Sequence, residues 1–205
     1  MTNAPQVDRS SADTVRAEYA ELVREAATGE RSAMERLLMR VQEVAYRFSL
    51  LVCGHQEDAE DVMQDALLKT YQHVGKISDP SAFRTWLYTT VRNACLMKRR
   101  RRVGEPSHFE PIEGGGGLEG TGRRAMDVPD MASPPDDRLM DGWIDRRLRT
   151  ALQALPPAYR IVLVLREIDG LSTREVATVT GVSEANVKQR LHRARVMLRR
   201  QLEIP

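Results

Sequence analysis

Lys188, Gln189, His192 and Arg193 are spaced to share the outer faces of one helix near the C-terminal end of the chain. Amide, imidazole and cationic side chains of this kind hydrogen-bond to base edges in the major groove and to phosphates. The chemistry they offer is recognition. Val187, Leu191, Ala194 and Leu198, spaced four, three and four apart, form the opposite, buried face of the same helix. A shorter helix is expected before it, from Ser172 to Thr180, followed by a turn at Gly181-Val182-Ser183. Ser172 and Glu175 have the spacing of a capping box, and Ser183 can cap the second helix. Gly181 supplies the positive φ that a tight turn needs, while Ala177 is small where the helices cross. Val176, Val182, Val187 and Leu191 can fill the angle between them. An amphipathic pair with a solvated basic face would share some of this spacing. Cap, glycine turn and apolar spacing together point to a helix-turn-helix presented to duplex DNA.

A second set of candidates lies nearer the N-terminus. In the helix expected over 57–74, Ala59, Val62, Met63, Ala66, Leu67, Thr70 and Tyr71 form a wide buried stripe. Asp58, Asp61, Gln64, Asp65 and Leu68 take the other side. Negative charge in a first turn is favourable against the helix dipole, which accounts for Glu57 to Asp61 without a partner. It leaves Asp65 and the exposed Leu68, which suit either a protein-docking face or a solvated one. Arg84, Tyr88 and Arg92 then follow at four-residue steps in a helix capped by Asp79 with Pro80 behind it. That helix directs Phe83, Trp86, Leu87, Val91 and Ala94 inward and ends in Lys98-Arg99-Arg100-Arg101-Arg102. Basic residues interleaved with Tyr88 and Trp86 suit a nucleic-acid backbone and unstacked bases, although Trp86 also reads as a core residue.

The elements that must position these groups are helices. Thr14 to Ala27 and Ser32 to Val52 are amphipathic, separated by Thr28-Gly29-Glu30, and Gly54 ends the second. Residues 104–138 interrupt every helical pattern with glycine, proline and acid, the composition of a flexible linker. The net charge of +2 hides a sorting: +2 over residues 1–103, −6 over 104–141 and +6 over 142–205. The expected organisation is therefore all-α. It comprises a flexible N-terminus (1–15), a first helical domain (16–103), an acidic linker (104–138) and a helix-turn-helix domain (139–205).

Several classes of function are disfavoured. Cys53 and Cys95 stand apart, without a CxxC pair, and read as small buried hydrophobes and not as a disulfide or zinc site. No metal cluster, nucleophile–base pair or phosphate loop is evident, since the GGGG at 114–117 lacks the strand, helix and lysine of such a loop. Neither enzymatic activity nor a cofactor is expected. The N-terminal residues show no basic-then-apolar signal, and no apolar run is long enough to span a membrane, so the expected compartment is the cytoplasm. The chain ends soon after the recognition helix, so no additional sensing domain is expected there.

Three segments in order carry a resemblance: DAEDVMQDALLKTY (58–71), SAFRTWLYTTVRNACLMKRR (81–100) and LPPAYRIVLVLREIDGLSTREVATVTGVSEANVKQRLHRAR (155–195). Together they resemble bacterial RNA polymerase sigma factors of the extracytoplasmic-function type, in the sigma-70 family. The resemblance implies two helical domains, region 2 and region 4, that bind core polymerase and promoter DNA. By it, Asp58, Asp61, Gln64, Asp65 and Leu68 dock the coiled coil of the β′ subunit, with β as a further contact. The loop Gly75, Lys76, Ile77, Ser78 and Asp79 would capture a flipped base of the −10 element, with Arg84, Trp86, Arg92, Asn93 and Lys98 near the melted strand. Arg166, Lys188, Gln189, His192 and Arg193 would meet the −35 element. The acidic linker would thread toward the RNA exit path, and an anti-sigma factor is a common partner in this family. His192 departs from many relatives, so the −35 sequence served cannot be copied from them.

Three other readings compete. A stand-alone helix-turn-helix regulator would use the first domain for ligand sensing or dimerisation, and the acidic and basic helices there speak against it. A protein-only adaptor would have no use for Lys188, Arg190 and Arg193 on exposed faces. An enzyme finds least support in the residues.

Overall fold

The structure, a computed structural model, describes residues 9–103 and 146–203. The linker expected over 104–138 and residues 1–8 of the expected N-terminal segment lie outside the described residues. What is described is helices joined by short turns, with no strand among the described residues.

The first domain contains α1 (Arg9–Ala27), α2 (Arg31–Cys53), α3 (Gln56–His73) and α4 (Phe83–Val103). Helix α1 begins at Arg9, inside the segment expected to be flexible. Helix α2 lies at the centre because its apolar residues cover more than one face: Leu37, Val41, Val44, Ala45, Phe48, Leu51 and Val52 are all buried. Tyr19 and Val23 of α1, Val62 and Ala66 of α3, and Phe83, Leu87 and Val91 of α4 pack around it. The Phe48 and Tyr88 rings meet edge-on at 5.3 Å. Gly54 ends α2 where the sequence expects it to, in an αL cap at φ 83° with its N–H donating to the Leu50 carbonyl. Between α3 and α4 run two single 3₁₀ turns, Val74–Lys76 and Pro80–Ala82. Asp79 caps the second by accepting from the Ser81 N–H at 2.9 Å and its hydroxyl at 2.6 Å. Those bonds hold the exposed Asp79 carboxyl below its ordinary range, so the cap is present at neutral pH and is lost only when acid titrates it.

The second domain contains α5 (Arg146–Gln153), α6 (Pro157–Leu163), α7 (Thr173–Thr180) and α8 (Glu184–Glu203). Helix α6 widens at its end into a π turn over Val164–Ile168. There the Asp169 N–H donates to the Val164 carbonyl, five residues back, at 2.9 Å. Leu152, Leu155, Ile161, Leu165, Leu171, Val176, Val179, Val187 and Ala194 form its apolar interior, continuous with that of the first domain.

Two sequence expectations are corrected here. Cys53 and Cys95 form a disulfide, joining the last turn of α2 to α4 across 42 residues of chain. The pair is brought together by the side-by-side packing of two helices, which spacing along the chain does not encode. Reducing it should lower stability by about 2–4 kcal/mol, because the bridge restricts the unfolded chain. The measurement is the melting temperature with and without reductant, and equal values would show that the bridge constrains nothing the packing does not already hold. Tyr71, expected in the buried stripe of α3, is 63% exposed. It lies seven residues after Gln64, close to two full turns, and so shares the outward face.

Candidate nucleic-acid interface

Helix α8 is held by local bonds whose residues stand out in the sequence. Ser172 Oγ accepts from the Glu175 N–H at 3.2 Å, and Glu175 Oε2 accepts from the Ser172 N–H at 2.7 Å. Gly181 closes α7 at φ 71°, with its own N–H and that of Val182 donating to the Ala177 carbonyl at 2.9 and 3.2 Å. Ser183 Oγ accepts from the Asn186 N–H at 3.3 Å and starts α8. Buried Val187 and Ala194 turn one face of α8 inward, with Leu191 and Leu198 half-buried beside them. Lys188, Gln189, His192 and Arg193 are all exposed, forming one donor-rich strip on a well-anchored helix. Arg195 is drawn back toward the domain by an ion pair with Glu167 at 2.7 Å. Arg166 does not join the strip as freely, because its Nη1 donates to the Leu171 carbonyl at 3.1 Å and fixes the turn before α7.

In the first domain, Gly75, Lys76, Ser78 and Asp79 form an exposed loop, with Ile77 half-buried against the core. Trp86 is half-buried, its ring 5.6 Å from Phe83, so part of it is core and part is available for stacking. Asn93 is exposed, while Lys98 forms an ion pair with Asp61 that ties α4 to α3. Arg84 and Arg92 do not form the open basic stripe expected of them. Arg84 is 4% exposed. Its Nη2 donates to the Asp169 carbonyl, and Arg92 Nη1 donates to the Val179 carbonyl at 3.0 Å. Both acceptors belong to the second domain.

The outward face of α3 carries Glu57, Asp61, Gln64, Asp65, Leu68 and Tyr71, all exposed. Asp58, expected with them, is buried to 7% exposure. Helical phase does not separate it from Asp65, which lies close to two full turns further on; its burial comes from packing over the first turn of α3, which spacing along the chain does not encode. Leu68 at 56% exposure and Tyr71 at 63% give this acidic face an apolar centre, with Tyr71 the member that sequence reading assigned to the wrong side.

A polar cluster joins the two domains. Arg47 Nη2 donates to Asp169 Oδ1 at 2.6 Å, and the Asp169 side chain is fully buried. Burial pushes the Asp169 carboxyl up from its ordinary value, and the charges of Arg47 and Arg84 pull it back. For Arg47, burial works against the charge, and the Asp169 carboxylate outweighs it. Burial also pushes the Tyr88 hydroxyl upward, as does the Asp169 charge beside it. A second arginine, Arg160, bridges the same boundary: Nη1 donates to the Val52 carbonyl at 3.2 Å and Nη2 to that of Leu155 at 3.0 Å. Its pKa is pushed down to about 10 by burial and by the charge of Arg99, which leaves it protonated at neutral pH. Nothing local in the sequence singles out Arg47, Asp169 or Arg160, since each makes a bond across the domain boundary.

Comparison with known proteins gives these surfaces a context. The family model for sigma-70 region 2 matches residues 33–104, and that for sigma-70 region 4 matches residues 145–198. The ECF RNA polymerase sigma factor SigM of Mycobacterium tuberculosis is 32% identical over 183 residues, covering 89% of this chain and 84% of that protein. SigE of Mycolicibacterium smegmatis, also an ECF RNA polymerase sigma factor, is 31% identical over 178 residues and 84% of this chain, which spans only 64% of that longer relative. Among solved structures, CnrH in complex with the cytosolic domain of CnrY is similar with a TM-score of 0.60 and 27% identity, over 90% of this chain and 97% of that one.

Proposed function

The chain belongs to the extracytoplasmic-function sigma factors of the sigma-70 family, and from that premise we propose that it directs core RNA polymerase to particular promoters and starts transcription there. The observation that carries the reading is the exposed donor strip of α8, Lys188, Gln189, His192 and Arg193, on the same chain as the exposed acidic face of α3. One surface suits duplex DNA and the other a protein. The domains divide as residues 16–103 for docking and −10 capture, 104–138 as linker and 139–205 for the −35 element.

In this mechanism α8 binds the −35 duplex through base edges and phosphates, which sets position. Asp61, Gln64, Asp65 and Leu68, with Tyr71 added, dock the β′ coiled coil of the core enzyme. The loop Gly75 to Asp79, with Trp86, Asn93 and Lys98, takes an unstacked −10 base, offsetting a strand-separation cost of about a few kcal/mol per flipped base. Arg84 and Arg92 join that site once the second domain moves away from them. The chain supplies no catalytic group, and polymerisation belongs to the core enzyme. An anti-sigma factor is a proposed partner on the family resemblance, and CnrH, similar in structure, is solved in complex with another protein, the cytosolic domain of CnrY.

The work takes place in the cytoplasm, where promoter DNA and polymerase are; among the described residues no helix is long and apolar enough to cross a membrane. That compartment is reducing, so the Cys53–Cys95 bridge would be open to reduction there. A fluorescent base analogue in the −10 element tests the division of labour. Its signal should rise only when chain and core enzyme are both present, and opening by the chain alone would contradict the reading.

A further inference from the structure

The cations of the first domain that face the second are aligned on oxygen acceptors. Arg47 of α2 and Arg84 and Arg92 of α4 meet the Asp169 carboxylate, the Asp169 carbonyl and the Val179 carbonyl, with Glu175 Oε1 4.0 Å from Arg84 Nη1. For Arg84 and Arg92 these oxygens offer what a phosphodiester backbone would offer, while Arg47 holds Asp169 from the side of α2. The Asp169 side chain is fully buried and that of Arg84 is 5% exposed, so the second domain fills the groove and excludes solvent from it.

We propose that in the free chain the second domain occupies, in cis, the basic groove that a separated DNA strand takes when the chain works with polymerase. Strand and second domain then compete for Arg84 and Arg92, and Asp169 is the centre of the lock. The other two working surfaces stay open in this closed form. Lys188, Gln189, His192 and Arg193 are exposed, as are Asp61, Asp65 and Leu68 of α3. Closure thus withholds strand capture alone, and polymerase can dock on α3 before the groove is released. The lock is suited to opening, because buried ion pairs lose in desolvation much of what they gain by attraction. Arg160, bound to the Val52 carbonyl, adds a second tie at the end of α2.

The identity of the competing strand rests on the function proposed above; the closure does not. The test uses the full chain and two variants made on opposite sides of the contact, Asp169→Asn and Arg47→Gln. Small-angle scattering reads compactness, and fluorescence anisotropy reads binding of a labelled single-stranded oligonucleotide of about twelve mixed nucleotides. Both variants should expand relative to the parent and bind the oligonucleotide roughly tenfold more tightly, as expected when the competent form is a minor fraction of the parent. Should Asp169→Asn lose its helical circular dichroism, Arg47→Gln carries the test. Variants that stay compact would overturn the lock. Variants that expand without tighter oligonucleotide binding would overturn the competition. A failure of the function itself shows elsewhere, as absence of promoter-directed transcription by the parent chain with core enzyme while the scattering result stands.

Discussion

Reversing Asp61 and Asp65 to arginine together is expected to abolish co-purification with core polymerase, a loss of at least about a hundredfold in affinity. Truncating one partner of a desolvated charge pair costs about 2–5 kcal/mol, and reversal adds repulsion at both positions. Both side chains are exposed on α3, so the fold should survive. Asp61 also pairs with Lys98, and an arginine there would sit beside a like charge. That local penalty is a surface effect of about 1 kcal/mol or less. Helical circular dichroism and melting temperature therefore serve as controls. Asp65→Arg alone, which leaves the Asp61–Lys98 pair intact, should still give most of the loss. Undiminished retention of core enzyme by the double variant would remove α3 from the docking role.

Lys188→Ala combined with Arg193→Ala is the second large change. Each base-reading contact is worth about 1–3 kcal/mol of discrimination, so two lost together should weaken binding to a −35 duplex by roughly 30-fold or more. Binding should be compared at one fixed salt concentration, because phosphate contacts make affinity steeply salt-dependent. The loss should be uneven across promoters, greatest where the parent factor is most active. An equal loss at every promoter would mean that these side chains anchor the helix to phosphates and read no sequence.

The helix-turn-helix and the first domain differed in how far the residues alone could reveal them. The helix-turn-helix was legible because its determinants are local: Ser172 and Glu175 cap each other across one turn, and Gly181 and Ser183 set the bend within a few residues. The face of α3 was legible in kind but not in every member. An aromatic side chain pulled Tyr71 into the core, whereas helical rotation places it outward, and Asp58 shares the phase of Asp65 yet is buried by packing over the first turn. Arg84 and Arg92 formed a true four-residue pattern, but a pattern does not state what covers it. Their partners are Asp169, 85 residues away, and Val179, 87 residues away. The Cys53–Cys95 bridge escaped for the same reason, being a product of α2 lying against α4. Local chemistry was readable, and contacts made by tertiary packing were not.

On the proposed function, this chain gives core polymerase its choice of promoter. The most direct measurement is in-vitro transcription on genomic DNA fragments, with core enzyme and chain supplied separately and together and every 5′ end sequenced. A set of defined starts should appear only with both, preceded by shared −35 and −10 sequences, and be absent with the Asp61/Asp65 reversal. Starts unaltered by the chain, alongside sequence-specific duplex binding by the chain alone, would contradict that function and identify a stand-alone regulator instead.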